Sequence, residues 1–293
     1  MSNLIQSSEL STRLLDPTVR LVDTRFDLSD TGAGEMAYCE GHIPGAVYAH
    51  LDRDLSAPRA QHGGRHPLPR VEVLAGRLGG LGIGNEHLVI AYDANNGMFA
   101  SRLWWLLRYL GHDRVKVLDG GIAAWRQEGH PVTAQIPQHA RQRFLPNVRM
   151  EMAVDREYVL RNLGNAEVLL VDARGAQRYR GEVEPIDPRA GHIPSAVNLP
   201  FAENLIAENV ASENLSAENL KAGRFKPAEE LRRRFELLGA SDEVIVYCGS
   251  GVSAAHDVLA MEEAGVEGVR MYHGSWSDWC SYEDSPVATG EEP

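Results

Sequence analysis

The chain has 293 residues, 43% hydrophobic and 24% charged, enough for a sizeable core and about two domains at the usual size of roughly 150 residues each. Its 41 acidic against 29 basic residues leave a net charge of -12, which argues against a phosphate backbone or an anionic membrane surface as partner. Three scattered cysteines (Cys39, Cys248 and Cys280) exclude a disulfide scaffold, no Cys/His spacing reads as a metal site, and no apolar run suits a signal peptide or a membrane span, so the expectation is a globular protein of a reducing compartment, the cytoplasm.

In chain order, the strand-like run Leu21-Val22-Asp23-Thr24-Arg25 is followed by Gly41-His42-Ile43-Pro44-Gly45-Ala46-Val47. Next come an apolar strand from Leu88 to Tyr92 that ends at Asp93, a helical stretch from Ala100 to Tyr109, and Asp119-Gly120-Gly121 ahead of Trp125. After a stretch of little periodicity, Pro131 to Met150, the same landmarks return about 150 residues later. Leu170-Val171-Asp172-Ala173-Arg174, Gly191-His192-Ile193-Pro194-Ser195-Ala196-Val197, the strand Val244 to Tyr247, and His273-Gly274-Ser275 ahead of Trp279 repeat them in order, with a helix expected over Pro227 to Leu238. The alternation of short Val/Ile/Leu runs with helical segments predicts two α/β domains, each a parallel sheet with helices on both faces. The boundaries are 1–135 for the first domain, 136–150 for a linker and 151–293 for the second.

One segment breaks the symmetry. Residues 201–220 are four copies of a five-residue unit with Glu-Asn at 203, 208, 213 and 218. Five residues advance a helix face by about 140°, so the apolar positions form no stripe, and the unit is expected to be an expanded surface connection without chemistry.

Cys248 is the residue that carries chemistry. It follows the buried-strand run Glu243-Val244-Ile245-Val246-Tyr247 and opens the small-residue loop Gly249-Ser250-Gly251-Val252-Ser253. Ala254 to Ala264 reads as a helix closed by Gly265, so backbone N–H groups and the positive end of the helix dipole face the sulfur and favour an anionic thiolate or persulfide. A merely structural cysteine is the bland alternative. A cysteine phosphatase would need Arg six positions after the cysteine, where Ala254 stands. Asp93 occupies the Cys248 position in the first copy, so the nucleophile belongs to the second domain alone.

The tandem halves, the Gly-His-Ile-Pro motif and the Cys248 loop together resemble the two-domain rhodanese superfamily over nearly the whole chain. The resemblance implies two tandem rhodanese-like domains, an inactive N-terminal copy and a catalytic C-terminal cysteine. The Cys-Gly-Ser-Gly-Val loop is similar to that of members using 3-mercaptopyruvate, whereas members using thiosulfate carry Arg and Lys after the cysteine. It further implies Arg178 as the clamp on the substrate carboxylate, Arg189 as a second arginine, and a relay of Ser250, His66 and Asp52, with Asp54 as an alternative to Asp52. His42 and His192 occur in both copies and are read as structural. Cys39 and Cys280 are read as packing residues.

The implied chemistry is double displacement through a Cys248 persulfide, with N–H groups from Gly249 to Ser253, those of Gly251 and Val252 included, stabilising the anionic sulfur. The donor is a small molecule, 3-mercaptopyruvate, and the acceptor a thiol such as thioredoxin, or cyanide. No metal, organic cofactor, nucleic acid or membrane is called for. Thiosulfate:cyanide transfer and a non-catalytic sulfur carrier are the alternatives.

Overall fold

The computed structural model describes residues 2–206, 223–238 and 241–292, which fall into two compact units. The first comprises the described parts of 1–57, Pro69–Arg149 and Leu205–Phe225; the second comprises those of Pro58–Leu68, Met150–Asn204 and Lys226–Pro293. Residues 58–68 lie early in the chain yet pack in the second unit.

In the first unit the elements are β1 (Leu4–Ile5), α1 (Ser7–Ser11), β2 (Val19–Asp23), α2 (Ala33–Glu40), β3 (Val47–Tyr48), α3 (Val71–Gly80), β4 (Leu88–Tyr92), α4 (Met98–Tyr109), β5 (Val115–Leu118) and α5 (Gly121–Gln127). Its sheet has the order β1-β5-β4-β2-β3 and every pairing is parallel. The second unit repeats the plan with β6 (Ala153–Val154), α6 (Arg156–Arg161), β7 (Val168–Asp172), α7 (Ala176–Tyr179), β8 (Ala196–Asn198), α8 (Ala228–Phe235), β9 (Glu243–Tyr247), α9 (Ser253–Glu263), β10 (Arg270–Tyr272) and α10 (Ser275–Trp279). Its order is β6-β10-β9-β7-β8, again all parallel. Both are α/β units with helices flanking a five-stranded sheet, and none of the described helices is long and apolar enough to cross a membrane.

The central strands β4 and β9 are β-branched and aromatic runs without a polar alternation, as burial on both faces requires. Ile90, Tyr92, Ile245 and Tyr247 are wholly buried. Position 93 and position 248 therefore sit at the carboxyl end of a central parallel strand, where open α/β sheets place their ligands.

The repeated motifs are scaffold. Arg25 grips Asp23 and donates to the Gly41 carbonyl at 2.8 Å; Arg174 does the same to Asp172 and Gly191, at 2.7 Å. His42 stacks on Tyr38 and bonds its carbonyl through Nδ1 at 2.7 Å, and His192 does so with Tyr179 at 2.8 Å. The next residues, Ile43 and Ile193, each donate their N–H at 3.1 Å to the hydroxyl of the tyrosine that ends the central strand, Tyr92 or Tyr247. The Gly-His-Ile-Pro segment thus holds the strand end that precedes Asp93 or Cys248.

The stretch after α5 has no regular element before Met150 and is laid along the first unit, with Gln142 N–H on the Gly79 carbonyl and Arg149 N–H on that of Tyr109. Of the five-residue repeat, residues 207–220 lie outside the described residues. Phe201–Asn204 form a single 3-10 turn, and Leu205 bridges to Phe225.

Candidate active site

β9 delivers Cys248 into the turn that leads to α9, and the sulfur-bearing residue is 1% exposed. Gly251 has a positive φ of 75°, which turns its N–H onto Cys248 Sγ at 3.2 Å; a residue with a Cβ would be strained there. α9 begins at Ser253 behind Val252, whose side chain offers no acceptor to the helix N-terminus. The positive end of α9 consequently faces the loop rather than a capping oxygen. At the far end, Gly265 adopts a φ of 86°, the left-handed stop that its sequence position predicts.

The turn between β10 and α10 closes the other side. Ser275 is held at a φ of 57°, unusual for a residue with a side chain. Its hydroxyl accepts the Cys248 N–H at 3.1 Å, donates to the Tyr272 carbonyl at 2.9 Å and stands 4.0 Å from Sγ. Trp276 and Ser277 return their N–H groups to the Cys248 and Gly249 carbonyls, both at 2.9 Å. The first copy has Gly121 at this place, so Ser275 carried no signal as a motif.

Residues 58–68 form the third wall. Asp278 takes the Gly63 N–H and the Tyr272 hydroxyl, each at 2.6 Å, Ser277 Oγ takes the Arg65 N–H at 3.0 Å, and His62 stacks on Tyr282. Gly64, at a φ of 81°, passes so close to Gly274 that a Cβ would stand 2.5 Å from its carbonyl oxygen. This fixes His66, 1% exposed, with Nδ1 2.8 Å from Ser250 Oγ. Two residues singled out from the sequence, Ser250 and His66, are therefore joined beside Cys248.

Arg178 lies on α7 and places Nη1 3.4 Å from where a Cβ on Gly249 would stand. Glu184 holds it from behind, with bonds of 2.7 and 2.9 Å to Nη2, and Asp187 adds one of 3.1 Å. Arg178 pulls the Glu184 carboxyl below its usual value against the effect of burial. Arg65, which sequence reasoning did not pick out, approaches the same point: its Nη2 lies 2.9 Å from the Gly249 Cβ position, and its Nη1 pairs with Asp187. The only trace of it in the sequence is its place next to His66.

Arg189 bonds within the second unit. Its guanidinium donates to the Tyr282 carbonyl at 3.3 Å, and its own carbonyl accepts from the Trp276 indole at 2.9 Å. Asp52 and Asp54 belong to the first unit, where the Asp52 N–H donates to His50 Nδ1 at 3.1 Å and Asp54 accepts the His50 N–H at 2.8 Å. Burial pushes the Cys280 thiol up to about 12, leaving it neutral, while Cys39 is exposed. Among the described residues no group of three or more His, Cys, Asp or Glu is arranged to hold a metal ion.

In the first unit Asp93 fills the place of the sulfur. It is wholly buried, and its carboxylate accepts four backbone N–H groups: Asn95 and Gly97 on Oδ1, Phe99 and Ala100 on Oδ2, at 2.8–2.9 Å. Burial raises its carboxyl above the ordinary value, with the four donors opposing.

A twice-repeated five-stranded parallel sheet, with a loop cysteine at the end of one central strand and a carboxylate at the other, defines a tandem rhodanese-like protein. The rhodanese-like domain model matches residues 6–128 and 155–282, and the chain belongs to the rhodanese family. It is 41% identical over 295 residues to the probable 3-mercaptopyruvate sulfurtransferase of Pseudomonas aeruginosa, with 99% of each chain covered. It is also 36% identical to the putative thiosulfate sulfurtransferase SseB of Mycobacterium tuberculosis, over 98% of this chain and 97% of that one. Among solved structures, SseA from Escherichia coli, a 3-mercaptopyruvate sulfotransferase, superposes with a TM-score of 0.78 at 31% identity, covering 94% of this chain and all of that one.

Proposed function

We propose that this chain is a sulfurtransferase that moves sulfur from 3-mercaptopyruvate to a thiol or cyanide through a persulfide on Cys248. The observation that carries the reading is the buried Cys248 in a loop whose Gly251 N–H points at Sγ, beside the Ser250–His66 pair at 2.8 Å. The Cys248 thiolate attacks the donor sulfur; the new S–S bond forms as the S–C bond breaks, and its electron pair goes to carbon as the enolate of pyruvate. The enolate takes a proton from Ser250, which His66 replenishes, and leaves as pyruvate. An acceptor thiolate then attacks the outer sulfur, forms its own persulfide and restores the Cys248 thiolate; cyanide in that role gives thiocyanate.

Arg178, anchored by Glu184, binds the donor carboxylate. Arg189 is the second arginine that the resemblance offers for the donor; its carbonyl accepts the Trp276 indole N–H, and the Trp276 backbone N–H donates to the Cys248 carbonyl. The cysteine usage suits the reducing cytoplasm and a thiol acceptor such as thioredoxin. No step requires a metal or an organic cofactor. Thiosulfate is the second donor to consider, because relatives named for it are 33–36% identical over most of the chain.

The test is purified protein exposed to each donor, with the mass of the Cys248 peptide and steady-state kinetics measured side by side. One added sulfur at Cys248 and a higher kcat/KM for 3-mercaptopyruvate are expected. A protein that gains no sulfur from either donor overturns the reading.

A further inference from the structure

The helices α5 and α10 correspond in register and differ where the second touches residues 58–68. Trp125 on α5 and Trp279 on α10 each donate the indole N–H to the carbonyl of a later proline, at 2.8 and 2.7 Å, which fixes that register. Ser277 and Asp278 then stand where the first copy has Ala123 and Ala124. Both polar side chains are spent on the backbone of the 58–68 segment. Asp278 Oδ1 accepts the Gly63 N–H at 2.6 Å, and Ser277 Oγ accepts the Arg65 N–H at 3.0 Å. Alanines, as in the first copy, would accept neither.

The Asp278 carboxylate is itself held in place. It is buried, its Oδ2 accepts the hydroxyl of the buried Tyr272 at 2.6 Å, and Gly274 leaves it room, since a Cβ there would stand 2.5 Å from Oδ2. Just beyond the helix, Ser281 Oγ donates to the Asp278 carbonyl at 2.6 Å and pairs with His62 Nδ1 at 2.8 Å. Contacts at His62, Gly63 and Arg65 therefore tie down the chain immediately before His66, whose Nδ1 lies 2.8 Å from Ser250 Oγ. Pro67 restricts the backbone of His66 from the other side. A bond from a backbone N–H to a buried carboxylate is charge-assisted and short, the strongest of these ties.

We propose that Asp278, assisted by Ser277, is a positioning residue for the proton route to the departing enolate: it clamps residues 63–65 to α10 so that His66 meets Ser250. This rests on the sulfurtransferase reading and deepens it by naming what holds the relay histidine. Proton transfer tolerates little misplacement, and about 1 Å can cost a hundredfold. The Gly63 bond lies three residues from His66, so slack there reaches the imidazole. The Arg65 guanidinium is tied separately to Asp187, so losing the clamp frees the backbone without releasing that group.

The test is Asp278→Ala in the full chain, alone and in a Ser250→Ala background. Pyruvate release from 3-mercaptopyruvate is followed in a single turnover, and kcat is measured with thiosulfate and cyanide. The single variant should slow pyruvate release about tenfold. Thiosulfate turnover, in which sulfite leaves without a proton, and cyanide discharge of protein already carrying the persulfide should change far less. In the Ser250→Ala background the same substitution should cost little more, because both act on one proton route. Asp278→Asn keeps an oxygen for the Gly63 N–H and should recover most of the rate. Unchanged pyruvate release in Asp278→Ala overturns the proposal, as does an equal loss with both donors, a loss that multiplies with that of Ser250→Ala, or an asparagine variant as slow as the alanine one. Should Asp278→Ala fail to fold, Ser277→Ala removes only the Arg65 contact; a smaller loss with the same donor preference supports the clamp, and no loss overturns it. Wild-type protein that takes no sulfur from 3-mercaptopyruvate removes the donor reading and the clamp with it, whereas normal loading indifferent to Asp278 removes the clamp alone.

Discussion

The Asp93 and Cys248 loops are the same piece of backbone put to opposite uses. Each follows a buried central strand, each leads after the same interval into a long buried helix, and each turns backbone N–H toward one side chain, four groups at Asp93 and that of Gly251 at Cys248. At Asp93 the side chain is itself the anion. It takes four N–H groups, including those of Phe99 and Ala100 in the first turn of α4, and so caps the helix from five residues upstream. At Cys248 the helix starts behind Val252, which has no oxygen to give, and the field of α9 is left for a sulfur that can gain and lose a substituent. An anion cradle becomes structural when its anion is part of the chain and chemical when its anion is exchangeable.

The difference is broken most completely by Cys248→Ser, which should abolish persulfide formation, since a hydroxyl cannot carry transferable sulfur. Cys39→Ser and Cys280→Ser should keep most turnover. Loss of sulfur loading in either of these, measured by cyanolysis, would place the nucleophile elsewhere.

Ser250→Ala should lower kcat with 3-mercaptopyruvate by about a hundredfold, the usual worth of a positioned proton donor. Thiosulfate should be affected far less, because sulfite leaves as a stable anion that needs no proton. Equal losses for both donors would show that Ser250 shapes the loop instead of serving the enolate.

Asp93→Ala sharpens the comparison from the other side. Three buried N–H groups and one part-buried one lose their acceptor, so stability should fall by about 3 kcal/mol, read as a lower unfolding midpoint in urea. Sulfur loading on Cys248 should survive. A stable variant would mean the carboxylate is dispensable to the fold, and a folded but inactive one would give the first loop a part in turnover.

The last test concerns stability alone and lies on α9 itself. Asp257 on that helix is fully buried and bonds Asn204 Nδ2 at 2.5 Å. Burial pushes its carboxyl up to about 8, with the Asn204 bond opposing. In the unfolded chain an aspartate titrates at about 4, so between these values the folded protein holds a proton that the unfolded chain has released. Stability therefore falls as pH rises from about 4 to about 8 and is level outside that window. Asp257→Asn removes the titration, so its Tm relative to wild type should climb steadily across that range. A pH-independent difference would refute the burial of a protonated carboxyl.

Local patterns determined much of this protein. The Val/Ile/Tyr run before Cys248 could only be a buried parallel strand, Gly265 ended the following helix, and the order of repeated landmarks required the same α/β unit twice. Cys248 was legible because the strand before it and the small-residue loop after it are local patterns, whereas the role of Ser250 came from the family resemblance. His66 and Arg178 were found only through family resemblance, since a lone His or Arg in a loop carries no periodicity. What the tertiary structure alone decided is which distant groups meet. Packing of residues 58–68 in the second unit brings Arg65 to Gly249 and His66 to Ser250, and Asp187 ties Arg65 to Arg178. Ser275 tells the same lesson: in sequence it replaces a glycine, while in space its hydroxyl holds the nucleophile's own N–H. Hydrogen bonds and ion pairs of this kind depend on the closeness of segments far apart along the chain, and neither hydrophobic period nor turn propensity encodes that closeness.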